Sequence, residues 1–92
     1  MEDAPQDVTA RLTLASELEE SDKAAATTHY RKIVQVDPDN LVALNNLAWN
    51  TRLSDPAGAL THIRRAAELA PDRALILDSL AVIAHLNNEH EE

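Results

Sequence analysis

The side chains best equipped for chemistry in this chain are four histidines, a scatter of carboxylates and a single tryptophan. His29 and His62 lie 33 residues apart, too far along the chain to share an ion, and His85 and His90 lie five apart with Glu89 beside them. Two ligands on one helix need to sit a single turn apart to meet a metal. Neither pair has that spacing, and the absence of cysteine removes thiolate sites and disulfides alike. There is no His-Glu-x-x-His segment, no glycine loop to cradle a phosphate and no cysteine nucleophile. The carboxylates are scattered or terminal, with nothing to desolvate a pair for acid–base work. These patterns exclude no single reaction by themselves, but together they predict a non-catalytic chain without metal or cofactor. Function is then expected to reside in binding.

Trp49 is the first candidate for that binding. Asn45 precedes it by four residues and Arg52 follows by three, so all three share one face of a helix through this region. A tryptophan flanked by Asn and Arg has the composition of a protein-recognition hot spot. The alternative is that its ring fills space between neighbouring helices. Asn45 and Asn46 likewise could bond the backbone of an extended peptide or could serve as exposed helix polarity.

The elements that position these residues announce themselves by repetition. A step of 33 residues carries Leu14-Ala15 onto Leu47-Ala48, Ser21-Asp22 onto Ser54-Asp55, Thr28-His29 onto Thr61-His62, and Pro38-Asp39 onto Pro71-Asp72. The same step carries Leu44, Leu47-Ala48 and Leu53 onto Leu77, Leu80-Ala81 and Leu86. A period of this length with helical spacing inside it marks a stacked array of helical hairpins. Helices are expected over about 7–20, from Asp22 to about 36, over about 40–53, from Pro56 to about 70, and over about 73–87. Asp22 can cap the second helix, Asn40 opens the third, and Asp55-Pro56 offers a cap followed by proline at the first helical position. Pro38 and Pro71 close the second and fourth, because proline disfavours helical geometry in the residue before it.

Composition agrees with an all-helical domain. The chain has 92 residues, 45% of them hydrophobic, with one Trp, one Tyr, no Phe and one Gly. A core of Ala and Leu suits close helix contacts and suits a sheet poorly. The net charge of -8 opposes nucleic-acid binding, which needs a basic stripe. Acid gathers towards the ends, either as solvated faces or as a surface for a basic partner. No apolar run is long enough to cross a membrane or to serve as a signal peptide, so direct membrane insertion is not expected. Residues 1–6 are expected to be a disordered lead-in and 89–92 a polar tail. Ending after half a repeat is what an excised piece of a longer array would do.

The repeats resemble the tetratricopeptide family. Its pattern of Trp-x2-Leu-Gly-x2-Tyr, Ala-x3-Phe and Pro is approached by Leu44, Leu47, Ala48 and Thr51, then Ala59, Ile63 and Pro71. The first unit offers Leu14, Ala15 and Leu18, then Ala26, Tyr30 and Pro38; the third offers Leu77, Leu80, Ala81 and Ala84. Arg11 stands where the bulky first residue belongs, Ala replaces the family glycine throughout, and Ser-Asp replaces the glycine turn. The resemblance covers about residues 7–88 in units of about 7–39, 40–72 and 73–88. It implies a right-handed superhelical array of antiparallel hairpins, about two and a half units and five helices, acting as an adaptor or scaffold.

The family resemblance also implies where a partner would lie. The first helix of each hairpin usually lines the concave face, which places there Leu12, Ser16 and Glu19, then Asn45, Asn46, Trp49 and Arg52, then Asp78, Val82 and His85. Asparagines on this face bond peptide backbones in relatives. The carboxylate-binding version of the groove needs paired cations where this chain has Leu12 and Asp78, so an acidic C-terminus is not the expected ligand. The segment Val42–Trp49, with Leu69–Asp72 and Leu77–Ala81, is similar to repeats in long bacterial proteins of exopolysaccharide export and envelope protein sorting. That similarity would place the chain in a bacterial cytoplasm or periplasm. The implied partner is a protein or peptide. A homo-oligomer is the alternative, since Ile76, Leu80 and Ile83 are expected on an open face that a missing sixth helix would cover.

Overall fold

A computed structural model describes the backbone of residues 5–91 and the side chains of residues 8–88. It contains α1 (Pro5–Ser21), α2 (Lys23–Val36), α3 (Leu41–Thr51), α4 (Pro56–Leu69) and α5 (Ala74–Glu91). Among the described residues there is no strand, as the Ala- and Leu-rich composition predicts. The lead-in expected over residues 1–6 lies outside the described residues for 1–4, whereas Pro5 and Gln6 begin α1. At the other end α5 continues through Glu91, beyond the expected stop near 87, and residue 92 lies outside the described residues.

The junctions follow from short polar side chains. Asp22 accepts from the Ala25 backbone N–H at 3.1 Å, Asn40 from Ala43 at 3.0 Å and Asp55 from Gly58 at 3.1 Å. Each satisfies a donor that the first turn of a helix would otherwise leave free. The 33-residue step is visible in the backbone itself. Asp22 has φ -154° and ψ 78°, and Asp55 has φ -147° and ψ 70°. The residues that end α2 and α4, Asp37 and Ala70, repeat in the same way, at φ -139°, ψ 76° and φ -140°, ψ 71°. Prolines follow both, at 38 and 71, where they cannot continue a helix.

Each helix packs mainly on its neighbours in sequence, and α3 also touches α5. The apolar contacts divide into two clusters with α3 between them. Ala43 and Leu47 join Ala15, Ala26, Tyr30 and Ile33 from α1 and α2. Leu44 and Ala48, each one position further on, join Ala59, Ile63, Ala66, Ile76 and Ile83 from α4 and α5. Two adjacent i, i+4 stripes thus let one helix serve both cores. Full burial of side chains such as Ile33 or Ile63 contributes about 1.5–3 kcal/mol each. The assembly is elongated, with principal extents of 46 × 28 × 20 Å.

One expectation about α5 is corrected here. Ile76 and Ile83 are 3% and 0% exposed, packed into the cluster with Leu44 and Ile63, and Leu80 is half-buried against the same cluster. They form the inner face of α5, not an open one. The error came from placing the covered stripe one position off. The repeat step maps Ala43, which packs inward on α2, onto Ile76, and maps Leu44, which packs on α4, onto Leu77. Leu77 is accordingly 42% exposed, and its neighbour one turn on, Ala81, is exposed as well.

Candidate binding face

Helices α1 and α3 border an open cleft of about 530 Å³ lined by Thr9, Leu12, Thr13, Ser16, Glu17 and Val42. Leu12 is half-buried, Ser16 and Glu17 are exposed, and Val42 presents its isopropyl group to solvent from α3. One turn beyond Val42 on α3 come Asn45 and Asn46, a further turn brings Trp49, and Arg52 follows. Of the residues expected to bind, Leu12 and Ser16 line the cleft, whereas Asn45, Asn46, Trp49 and Arg52 do not.

Arg52 and Trp49 form a unit. The guanidinium carbon lies 3.9 Å from the ring centroid, and Nη1 donates to the Trp49 carbonyl oxygen at 2.8 Å. A cation held over an indole face is drawn to its negative quadrupole. The ring is half-buried, so it neither vanishes into a core nor stands free.

The two asparagines differ in role. Asn46 Nδ2 donates to the hydroxyl oxygen of Tyr30 at 3.1 Å, which ties α3 to a fully buried tyrosine of α2. Asn45 Nδ2 donates to Asn46 Oδ1 at 3.4 Å, a long bond. Asn45 itself is buried, 9% exposed, and its Oδ1 is shut from solvent with no partner. A buried acceptor left unmade costs about 1–3 kcal/mol, so its presence calls for a reason.

Glu19 closes one end of the face. Its Oε2 accepts from Asn50 Nδ2 at 2.8 Å and its Oε1 from Lys23 Nζ at 3.2 Å, joining α1, α2 and α3. On α5, Asp78, Val82 and His85 are all exposed, and Leu75, one turn before Asp78, is 65% exposed. Leu12, Ser16 and Val42 are thus brought together around one cleft, while Asp78, Val82 and His85 lie exposed on α5, a helix that touches α3.

Residues that sequence reasoning passed over are Thr9, Thr13, Glu17, Val42 and Leu75. The signal was available in part, because the 33-residue step links Thr9, Val42 and Leu75 as one repeated position. The network of Glu19, Asn50 and Lys23 has no such counterpart in the repeat and shows only in three dimensions.

His29 and His62 each feel neighbouring side chains, and His90 lies outside the residues whose side chains are described. Arg11 Nη1 donates to His29 Nδ1 at 3.0 Å, and since arginine only donates, the ring proton sits on Nε2. His62 on α4 is held below its ordinary pKa by burial first and by the Arg31 charge second, with Asp55 opposing. Among the described residues no group of three or more His, Asp or Glu side chains converges on a metal position, and no helix is long and apolar enough to cross a membrane.

No family model matches the chain, and no curated protein or solved structure is significantly similar to it.

Proposed function

We propose that this chain is a non-catalytic protein-interaction module, a tetratricopeptide-like adaptor or scaffold that holds a peptide or protein segment along α1, α3 and α5. The observation that carries the reading is the open cleft between α1 and α3, with Leu12 and Val42 on its walls and the half-buried Trp49 further along α3. An aliphatic wall and a tryptophan partly open to solvent are ingredients of peptide recognition. The two cores shared by successive helices and the 33-residue recurrence of caps support a hairpin array, and the right-handed superhelix is part of this proposal. The test is panning of a random 12-residue peptide library on the immobilised chain. Enrichment on the wild type that vanishes on Trp49→Ala supports the reading, and enrichment on neither, or equally on both, contradicts it.

A second reading is favoured by one observation. Leu44 and Ala48 are covered by α4, whereas their repeat equivalents on α5, Leu77 and Ala81, are exposed. In that reading α5 pairs with a second copy through Leu77 and Ala81, and Leu77→Glu converts an oligomer to a monomer in light scattering. A wild-type chain that is monomeric across all concentrations removes it.

A further inference from the structure

We infer that the second helices of the hairpins, α2 and α4, carry a separate binding surface for a short acidic segment of another protein, one that mixes carboxylates with aliphatic side chains. The cleft is lined from α1 and α3, so this surface stands or falls independently of the reading above.

Charge is divided unevenly between the helices. The chain holds 16 Asp and Glu against eight Lys and Arg. Yet α2 carries Lys23, Arg31 and Lys32 and no carboxylate, and α4 carries Arg64 and Arg65 against Glu68 alone. Arg31, Lys32, Arg64 and Arg65 are all exposed. Arg65 is answered by Asp39 at 2.9 Å and by Glu68 at 3.1 Å. Arg31, Lys32 and Arg64 make no hydrogen bond or ion pair among the described residues. Arg31 lies close enough to α4 for His62 to feel its charge, and the Asp55 carboxylate nearby is engaged in capping Gly58. In a chain so rich in carboxylates, three cations on two helices are left for a partner to neutralise.

The 33-residue step keeps this face better than it keeps the core beneath it. Ala24, Thr28 and Arg31 recur as Ala57, Thr61 and Arg64, all exposed, and Lys32 recurs as Arg65 with its charge. The buried Tyr30 and Ile33 recur changed, as Ile63 and Ala66. On the first helices the exposed position held by Thr9 becomes Val42 and then Leu75. Folding places little demand on an exposed position, so the recurrence points to a shared use of α2 and α4. The hydroxyls of Thr28 and Thr61 donate to the Ala24 and Ala57 carbonyl oxygens at 3.1 and 3.2 Å. The recurring donors that stay open are therefore the cationic ones.

Such donors match carboxylates, and an arginine takes a carboxylate through two parallel hydrogen bonds. One turn beyond Lys32 and Arg65 stand Val36 and Leu69, 61% and 36% exposed. An apolar side chain beside each pair of cations suits a polypeptide that carries Leu, Val or Ile among its carboxylates. It gains nothing from a phosphate backbone. The net charge of -8 also repels a long polyanion, so the acid of the partner must be brief and local.

The experiment pans the whole chain with a 12-residue display library whose positions draw from Asp, Glu, Ser, Ala, Leu and Val. Enriched peptides are resynthesised and titrated at 50 and 500 mM NaCl against the wild type, Arg31→Gln, Arg64→Gln and the double variant. Arg73→Gln serves as control, because it removes an exposed cation outside α2 and α4. Expected are peptides with carboxylates beside Leu or Val, and binding that weakens in high salt. Arg31→Gln and Arg64→Gln should each weaken it about two- to five-fold, the range of an exposed ion pair. The double variant should compound the two losses, and Arg73→Gln should cause none. All three positions are exposed, and unchanged circular dichroism and melting would confirm the fold. No enrichment, binding indifferent to salt and to both arginines, or an equal loss with Arg73→Gln would overturn the proposal. So would a 12-nucleotide single-stranded DNA that binds more tightly than every enriched peptide, since the face would then serve phosphates.

Discussion

The guanidinium of Arg52 lies 3.9 Å from the centre of the Trp49 ring and reaches past it to the carbonyl oxygen of that same residue. The contact fixes an otherwise mobile side chain at the end of α3 and covers one face of the only tryptophan in the chain. Arg52→Ala should therefore shift Trp49 fluorescence to longer wavelength and cost about 0.5–1 kcal/mol of stability. Emission at an unchanged wavelength would show that the ring is not covered in solution.

Tyr30 and Asn46 join α2 to α3 through one hydrogen bond of 3.1 Å at the edge of a fully buried ring. Tyr30→Phe should destabilise by about 1 kcal/mol, because the hydroxyl partner of Asn46 is removed and the ring volume kept. A double-mutant cycle with Asn46→Ala should show a coupling of about 0.5–1.5 kcal/mol in urea unfolding. Additive effects would mean that the bond contributes nothing to holding the hairpins together.

Gly58 and Ala25 occupy the same position of the repeat, and each donates its N–H to a capping aspartate at 3.1 Å. A Cβ on Gly58 would press on the carboxylate of Asp55, the far end of a flexible side chain. Ala25 shows that this cap tolerates a methyl group. Gly58→Ala is thus expected to stabilise by about 0.4–1 kcal/mol through loss of unfolded-state freedom, read as a higher thermal midpoint. A lower midpoint would mean that Asp55 cannot shift and the cap is lost.

His62 predicts the direction of one pH effect. Burial and the Arg31 charge lower its pKa from the ordinary 6.5, so the folded state resists the proton that the unfolded chain accepts. Its share of stability is present above 6.5 and is lost as pH falls from there through the depressed native value. Stability measured between pH 7.5 and 5 should decline, and His62→Gln should flatten that decline. An unaltered slope in His62→Gln would assign the decline to other groups.

Much of the architecture was legible in the sequence because it is written twice. Caps at Asp22, Asn40 and Asp55 and stops before Pro38 and Pro71 depend on local chemistry, and each appears where the residues place it. The face of α5 was misjudged for a different reason. Ile76 and Leu77 are adjacent and both apolar, and only packing on α4 decides which turns inward. Of the expected binding residues, Leu12 and Ser16 line the cleft and follow from helical spacing on α1, whereas its Val42 side required α1 and α3 to meet. The Arg52–Trp49 stack and the idle Oδ1 of Asn45 are properties of rotamers and neighbours, which no spacing encodes.

The most direct test of the binding face is backbone-amide shift mapping by NMR, with the tightest library peptide titrated into the labelled chain. The account predicts the largest perturbations at Leu12, Ser16, Val42, Asn45 and Trp49, with Asp78 and Val82 following. Perturbations confined to the exposed residues of α2 and α4, or to Leu77 and Ala81, would place the partner elsewhere and contradict it.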